Sequence, residues 1–575
     1  MKKLIKLFVL FGVLASCSDE LDVPQQGSIS ADAIVFDAAW INTQIVAAYG
    51  ILDGNLDNTD VWRAAASNWI YGEVASDNAY KGSEPGDAAP INNVEKYTPL
   101  STSAYLDYKW RAVFEGIARC NSALIAIEKG LLTEDLNEED ATVLQAEARF
   151  LRGHFHFEAK KMWNNIPFID ETVTESQPNV DIDSWSRIEE DFAFAAANLG
   201  ENAADMGRVN SWTAKSYLAK IHMYQSDFAA AKPILNDVIN NGPYALNAFY
   251  SDNFNFETSN SAESVFAVQH AADDESSNGS TGNWGEALNF PQTSDIGSGC
   301  CGFFQPSQNL VNAFKTDADG LPLLDTFNDV DVTNDQGISS DDPFTPYTGN
   351  LDPRLDWTVG RRGIDFQGWD VHPGQRWIRD PNNGGPYLQK KTVYRKSQAG
   401  TANSTSAWTL SVSAININII RYSEVLLWAA EVAAEESDLA TALIYVNQVR
   451  NRASNPDDFV KEINRIVDPE TNAVTLEVLE TPAANYVIEE YPSFPDKEYA
   501  LKAINFERRI ELAMEGHRFF DLVRQGRAQS ELNTYLSVES TKRVHLSGAS
   551  FGAGDEYYPI PQTAIDLSGG VLEQN

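Results

Sequence analysis

Three tryptophans stand in stretches rich in glycine, asparagine and proline. Trp284 lies in Thr281-Gly-Asn-Trp-Gly-Glu-Ala-Leu-Asn-Phe-Pro291. Trp369 and Trp377 lie in Gly363-Ile-Asp-Phe-Gln-Gly-Trp-Asp-Val-His-Pro-Gly-Gln-Arg-Trp-Ile-Arg-Asp380. A flat ring on a rigid loop can cover the apolar CH face of a sugar. Fixed polar groups beside it must then meet the sugar hydroxyls, because an unmet hydrogen bond costs as much as a made one gains. Asp365, Asp370 and Arg376 are placed in sequence to do that. The competing reading of each tryptophan is a pin that fastens a long loop to the body.

Two further groups have chemical potential. Asp331-Val-Thr-Asn-Asp-Gln-Gly-Ile-Ser-Ser-Asp-Asp342 sets Asp331, Thr333, Asp335, Ser339 and Asp342 at the first, third, fifth, ninth and twelfth places of a calcium loop. Gln336 replaces the turn glycine, the last ligand is Asp, and flanking helices are lacking, so a solvated acidic loop is the alternative. No other cofactor is indicated. Cys300 and Cys301 are adjacent between glycines, and a vicinal disulfide and two free thiols both stay open. No C-x-x-C pair exists, so zinc is not indicated.

The elements that must hold these groups are helical. Apolar residues recur at spacings of three and four over 35–52, 104–131, 139–163, 184–199, 211–225 and 228–241. The run from Ala214 to Leu235, with its Gln225-Ser-Asp227 turn, resembles a tetratricopeptide repeat. So does 419–453, with its Ser437-Asp438 turn. Helices resume at 496–526. Residues 250–418 have weak helical periodicity and many turn formers, and read as long loops with short strands.

The formal charge is −39, from 43 basic and 82 acidic residues, which makes a poor nucleic-acid binder. Residues 352–396 run against that balance, with nine basic and five acidic side chains, net +4. That segment could favour an anionic glycan or dock an acidic partner. His154 and His156 lie two apart on a helix, on different faces, and read as packing residues rather than a metal pair.

The N-terminus carries Lys2, Lys3 and Lys6, then an apolar run to Ala15 that is far short of the ~20 residues that cross a bilayer. This is an export signal. Leu14-Ala-Ser-Cys17 resembles a bacterial lipobox, which implies cleavage after residue 16 and lipidation of Cys17. Ser18-Asp-Glu20 resembles the short acidic tag that marks surface lipoproteins in the Bacteroidetes.

Five stretches, in order, carry a wider resemblance. They are Glu147-Ala-Arg-Phe-Leu-Arg-Gly-His-Phe-His-Phe with Asn165-Ile-Pro-Phe168; Leu351-Asp-Pro-Arg-Leu355; Ile420-Arg-Tyr-Ser-Glu-Val-Leu-Leu427; Glu507-Arg-Arg-Ile-Glu-Leu-Ala-Met-Glu-Gly-His-Arg-Phe-Phe-Asp-Leu-Val-Arg524; and Tyr558-Pro-Ile-Pro-Gln562. Together they resemble the SusD/RagB family of outer-membrane lipoproteins. The resemblance implies a mainly α fold of tetratricopeptide-like helical repeats with a large, irregular, loop-rich insertion containing a few short strands. It implies a surface protein that captures a polysaccharide or oligosaccharide and delivers it to a SusC-like, TonB-dependent transporter. It also adds Tyr80 and Lys81 as ligand contacts. The charges of 507–521 alternate in sign and read as a salt-bridge network rather than as acid and base catalysts.

The chain divides into a signal (1–16), a lipidated tether (17–34) and one domain (35–575). Within the domain, the repeats occupy about 35–245 and 415–530, the loop-rich ligand-binding part about 246–414, and a tail 531–575. A glycan-binding subunit without turnover is the leading reading. A peptide-binding, RagB-like uptake subunit and a glycoside hydrolase are the alternatives; no catalytic motif supports the last.

Overall fold

The computed structural model describes residues 34–274, 279–297 and 299–575. The export signal, Cys17 and the tether up to residue 33 lie outside the described residues. Among the described residues no helix is long and apolar enough to cross a membrane.

The helices form where the periodicity predicts them, and each start has a stated cause. Helix α1 (Ala38–Tyr49) is capped by Asp37, α2 (Ala104–Leu132) by Ser103, and α3 (Glu138–Trp163) by Asn137. Helix α3 also has Glu138, Glu139 and Asp140 in its first turn and Lys160 and Lys161 in its last, which complements the helix dipole. Helices α4 (Ser184–Asn198), α5 (Ser211–Tyr224) and α6 (Phe228–Asn241) follow, capped by Asp183, Asn210 and Asp227. After the insertion come α7 (Tyr422–Glu435), α8 (Leu439–Ala453), α9 (Lys497–Glu511), α10 (Arg518–Arg524) and α11 (Ala528–Glu539).

Three helix pairs turn by the same device. The amide of Asp227 bonds the His222 carbonyl at 2.9 Å, Asp438 bonds Ala433 at 2.8 Å, and Arg527 bonds Leu522 at 2.8 Å. The residue before each, Ser226, Ser437 or Gly526, takes positive φ. This is the closing pattern of a Schellman cap, and Asp227 and Asp438 then cap the next helix. Consecutive helices from α2 to α6 pack on one another, and α6 then packs on α7 across the inserted segment.

The insertion leaves and re-enters through one antiparallel pair, β2 (Ser264–Val268) with β6 (Ile417–Arg421). Strand β1 (Ala79–Gly82) pairs with β3 (Phe303–Pro306), and the short β4 (Val359–Gly360) pairs with β5 (Leu388–Gln389). A hairpin, β7 (Lys461–Val467) and β8 (Val474–Pro482), projects from the body with both faces largely exposed. The insertion has a core of its own, built from Phe290, Ile296, Phe366, Trp377, Val393 and Tyr394 among others.

The C-terminal region differs from the expected tail. Helix α11 carries the helical body to Glu539. The remainder is stitched back: Tyr558 donates its amide to Met162 O and its hydroxyl to Tyr71 O, both at 2.9 Å, and Gln562 N–H bonds Ser101 O at 2.9 Å.

Candidate functional site

The charged signature residues are buried together. The Glu511 carboxylate receives Arg354 at 2.9 Å, Arg421 at 2.8 Å and Arg452 at 2.5 Å. Glu507 pairs with Arg354 at 2.7 Å and Arg450 at 2.9 Å. Glu263 bridges Arg421 and Arg452, and Glu515 takes Arg421 and Lys391. Burial pushes the Glu511 carboxyl up, but Arg452, Arg421 and Arg354 outweigh it and hold it well below the ordinary range. Asp77 is likewise held low, burial being overcome by Arg509 and Arg518. The backbone is equally close. A Cβ at Gly516, which has φ +85°, would stand 1.7 Å from the Ser67 carbonyl. Nothing here faces a substrate. The network rivets α9 to β6, to the Asp352–Arg354 turn and to Lys391 of the insertion.

The histidines pack as their spacing predicts. His154 shares a 2.7 Å hydrogen bond with Tyr217, His156 stacks on Phe168, and burial drops them to about 4 and about 3.

The sequence-predicted sugar contacts lie one layer beneath the surface. Trp377 is 0% exposed, at the centre of the insertion's core, and its indole N–H donates to Asp295 at 2.8 Å. Trp284 is 7% exposed and donates to Gly279 O at 2.8 Å, in a cluster with Val61, Ala287 and Val412. Trp369 is half-buried, edge-on to Tyr394, and donates to Tyr394 O at 3.0 Å. Tyr80 is buried, with its hydroxyl on Glu539. The Lys81 ammonium donates to the Glu84 and Asp87 carbonyls, both at 2.7 Å, and burial lowers it to about 8. A ring closed in on both sides has no face for a sugar. Trp284, Trp377 and Tyr80 are therefore pins.

The polar candidates divide. Asp365 caps the turn at Gly368, its carbonyl receives Lys390 at 2.8 Å, and burial raises its carboxyl. Asp370 is paired with Arg465 of the β7 strand at 2.7 Å. Arg376 is exposed, 3.8 Å from Asp295. Cys300 and Cys301 are joined through their sulfurs, in a turn whose Cys300 carbonyl receives Ser411 Oγ at 3.3 Å.

The calcium expectation meets a different arrangement. Asp331 accepts Lys542 Nζ at 2.7 Å and Asn312 Nδ2 at 2.8 Å. Asp335 is buried, its nearest cation being Arg362 at 3.8 Å. That guanidinium donates to the carbonyls of Ser339, Ser340 and Asp342. Thr333 and the Asp342 side chain are exposed. Arg362 thus closes the loop that a divalent ion was expected to close. Among the described residues no group of three His, Cys, Asp or Glu side chains is gathered for a metal.

What Trp284 supports, together with Tyr394, is a loop that the sequence reading passed over, Asn403-Ser-Thr-Ser-Ala-Trp-Thr-Leu-Ser-Val-Ser413. Trp408 is 58% exposed, the one aromatic in the exposed class among the described residues. Its bed is rigid. Ala407 packs on the Trp284 cluster, to which Val412 belongs. Leu410 O receives the Tyr394 hydroxyl at 3.1 Å, and Ser404 N–H bonds Val412 O at 2.8 Å. Thr405 N–H and Oγ1 donate to Asp273 at 3.0 and 3.2 Å. Val61, in the same cluster, brings in loop 56–64 with its exposed Asp57, Asn58 and Thr59. The Ser/Thr run around a lone Trp was the signal available: polar neighbours offer no apolar contacts to bury the ring.

A concavity of about 720 Å³ opens elsewhere, between α2 and the short helix Gln562–Leu567. Its aromatic pair, Trp110 and Phe114, stacks at 4.3 Å, and its charges pair with one another, Arg111 with Asp107 and Arg119 with Glu115.

Residues 262–575 match the model of the SusD family, and residues 43–223 match one described as starch-binding, associating with outer membrane. A SusD-like protein of Bacteroides ovatus is 28% identical over 502 residues, covering 80% of this chain and 76% of that one. SusD-like protein P25 of Formosa agariphila is 22% identical over 557 residues, covering 91% and 89%. Surface glycan-binding protein A from Bacteroides thetaiotaomicron, solved in complex with laminarihexaose, superposes with a TM-score of 0.66 at 21% identity, covering 93% of this chain and 99% of that one. With more than half of its length matched by the family model, and with three of its five motifs joined in one buried charge network, the chain belongs to the SusD family.

Proposed function

We propose that this protein is a surface lipoprotein, anchored to the outer membrane through Cys17, that binds a polysaccharide or oligosaccharide and delivers it to a SusC-like, TonB-dependent transporter. The observation that carries the reading is Trp408: a large ring held 58% exposed on a loop fastened from beneath by two buried aromatics, Trp284 and Tyr394. Leaving such a ring in water is unfavourable, and rigid exposed aromatics flanked by hydroxyls and carboxylates suit a sugar face. The starch-binding description of the model matching residues 43–223 and the laminarihexaose complex of the structural neighbour support the same class of ligand. Binding proceeds without turnover, because the carboxylates that resemble catalysts are consumed in buried pairs.

The test is affinity electrophoresis through gels holding laminarin, xylan, mannan, starch or pectin. Wild type is expected to be retarded by at least one gel, and Trp408→Ala to migrate as in a gel without glycan while its thermal midpoint is unchanged. Retardation unaltered by Trp408→Ala would remove the site. Release of Cys17→Ala from the outer-membrane fraction tests the anchor.

A further inference from the structure

We propose that a concavity of about 390 Å³, between the end of α3 and residues 554–559, is a second sugar-binding site that takes one neutral sugar residue and is separate from the Trp408 surface. It shares no lining residue with the Trp408 loop or with the loops beneath it, and its volume falls in the ~300–1,000 Å³ range of small-molecule pockets. One wall is aromatic and fixed. Tyr97, Phe519 and Tyr558 are buried, and the rings of Phe519 and Tyr558 pack at 6.0 Å. The Tyr97 hydroxyl donates to Ala75 O at 3.1 Å and the Tyr558 hydroxyl to Tyr71 O at 2.9 Å, so both hydroxyls are spent inside the protein.

The other wall is polar and unspent. Asn164 ends α3 with φ +54°; its backbone N–H donates to Lys160 O at 2.9 Å and its carbonyl receives Lys160 Nζ at 2.7 Å. The Asn165 carbonyl receives Asn179 Nδ2 at 3.2 Å. Both backbones are thus held, while both side-chain amides, in half-buried residues, have no hydrogen-bond partner among the described residues. Tyr557 is half-buried too, and its hydroxyl likewise has no partner. Asp555 accepts the Gly552 amide at 2.7 Å through one oxygen and keeps the other. Gln574 and Asn575 close the rim, tied to the backbone of Ile560 and Tyr558. Each unspent amide offers donors and an acceptor, and a sugar hydroxyl is both at once. The Tyr557 ring offers a face for the CH side of the sugar. Asp555 is the one charged side chain in the lining, with no Lys or Arg beside it, so a phosphate or carboxylate finds no counter-charge there. A free monosaccharide and the end residue of a glycan chain carry the same chemistry.

Saturation-transfer NMR on the full mature chain carrying Trp408→Ala takes the other surface out of the measurement. The probes are free glucose, xylose, mannose and galactose, and the hexasaccharides of laminarin, xylan, mannan and starch. The expected result is transfer to at least one probe, with its affinity lowered at least tenfold by Tyr557→Ala and by Asn164→Gly. Glycine takes the left-handed backbone of position 164 without strain, so that variant removes the amide and keeps the turn. An unchanged thermal midpoint checks that each variant is folded. Transfer to the free sugars marks a monosaccharide ligand, and transfer to the hexasaccharides alone marks a chain end; both support the site. No transfer to any probe, or transfer that either variant leaves unchanged, overturns it. Polysaccharide retention lost with Trp408→Ala is read on its own gels, so the failure of one site leaves the other standing.

Discussion

The Glu511 network and the Trp408 loop are the two most unusual places in this molecule, and they are unusual in opposite ways. One gathers acids, arginines and a lysine where water does not reach; the other leaves one ring in water on a run of serines and threonines. The first has the groups of an active site and no access. The second has access and almost no reactive group. Charge that is buried and fully paired fixes geometry, and its removal is felt by the fold. An exposed apolar surface on a rigid support is felt by a ligand. In this chain the residues that look most chemical are the joints, and the proposed contact is a ring without acid or base chemistry.

That contrast can be broken at several points. The largest effect is expected at Glu511→Gln, which leaves Arg354, Arg421 and Arg452 facing a neutral amide; stability should fall by about 3–5 kcal/mol, read as a lowered denaturation midpoint. A midpoint within error of wild type would mean the network is not a joint. Next is Trp377→Ala, which empties the centre of the insertion's core and should cost about 3 kcal/mol, with glycan affinity in the remaining folded protein unchanged. Trp408→Ala should do the reverse: stability within about 0.5 kcal/mol of wild type, and affinity lower at least tenfold, about 1.4 kcal/mol.

The smallest effect concerns protons. Burial holds His154 down to about 4, so the fold keeps the imidazole neutral. Its stabilising contribution is complete above the unfolded value of about 6.5 and is lost as pH falls from there toward about 4. His154→Gln should therefore flatten the fall of the thermal midpoint over that window. An unchanged slope would assign the acid sensitivity elsewhere.

The helices were legible because their cause is local. Asp227 and Asp438 announce helix starts, and apolar residues at three and four mark the buried face. The β7–β8 hairpin has a local cause as well, the turn Asp468-Pro-Glu-Thr-Asn472 between two alternating runs, although the sequence reading did not place it. The site was not legible, and the reason is physical. Trp284, Trp369 and Trp377 were singled out because glycine, aspartate and proline surround them. Those residues make tight turns, which fold the chain back over its own rings. Whether a loop tryptophan points in or out depends on partners distant in sequence: Asp295 for Trp377, Val61 and Val412 for Trp284. The pairing of Arg354 and Lys391 of the 352–396 segment is equally non-local, since Glu507, Glu511 and Glu515 lie more than a hundred residues away.

The neck of the insertion carries a consequence for engineering. Strands β2 and β6 lie side by side, and α6 meets α7 as though the intervening chain were absent. Neighbouring strands are separated by only ~5 Å, so the covalent chain leaves and rejoins the repeats at two adjacent points, while the β1–β3 pair and Phe303, Leu310, Phe314, Leu351 and Leu355 tie the segment into the main core. A replacement for this segment therefore has to bring not only a core of its own but also the partner strand for β1, that share of the main core, and equivalents of Arg354 and Lys391 to meet Glu511 and Glu515.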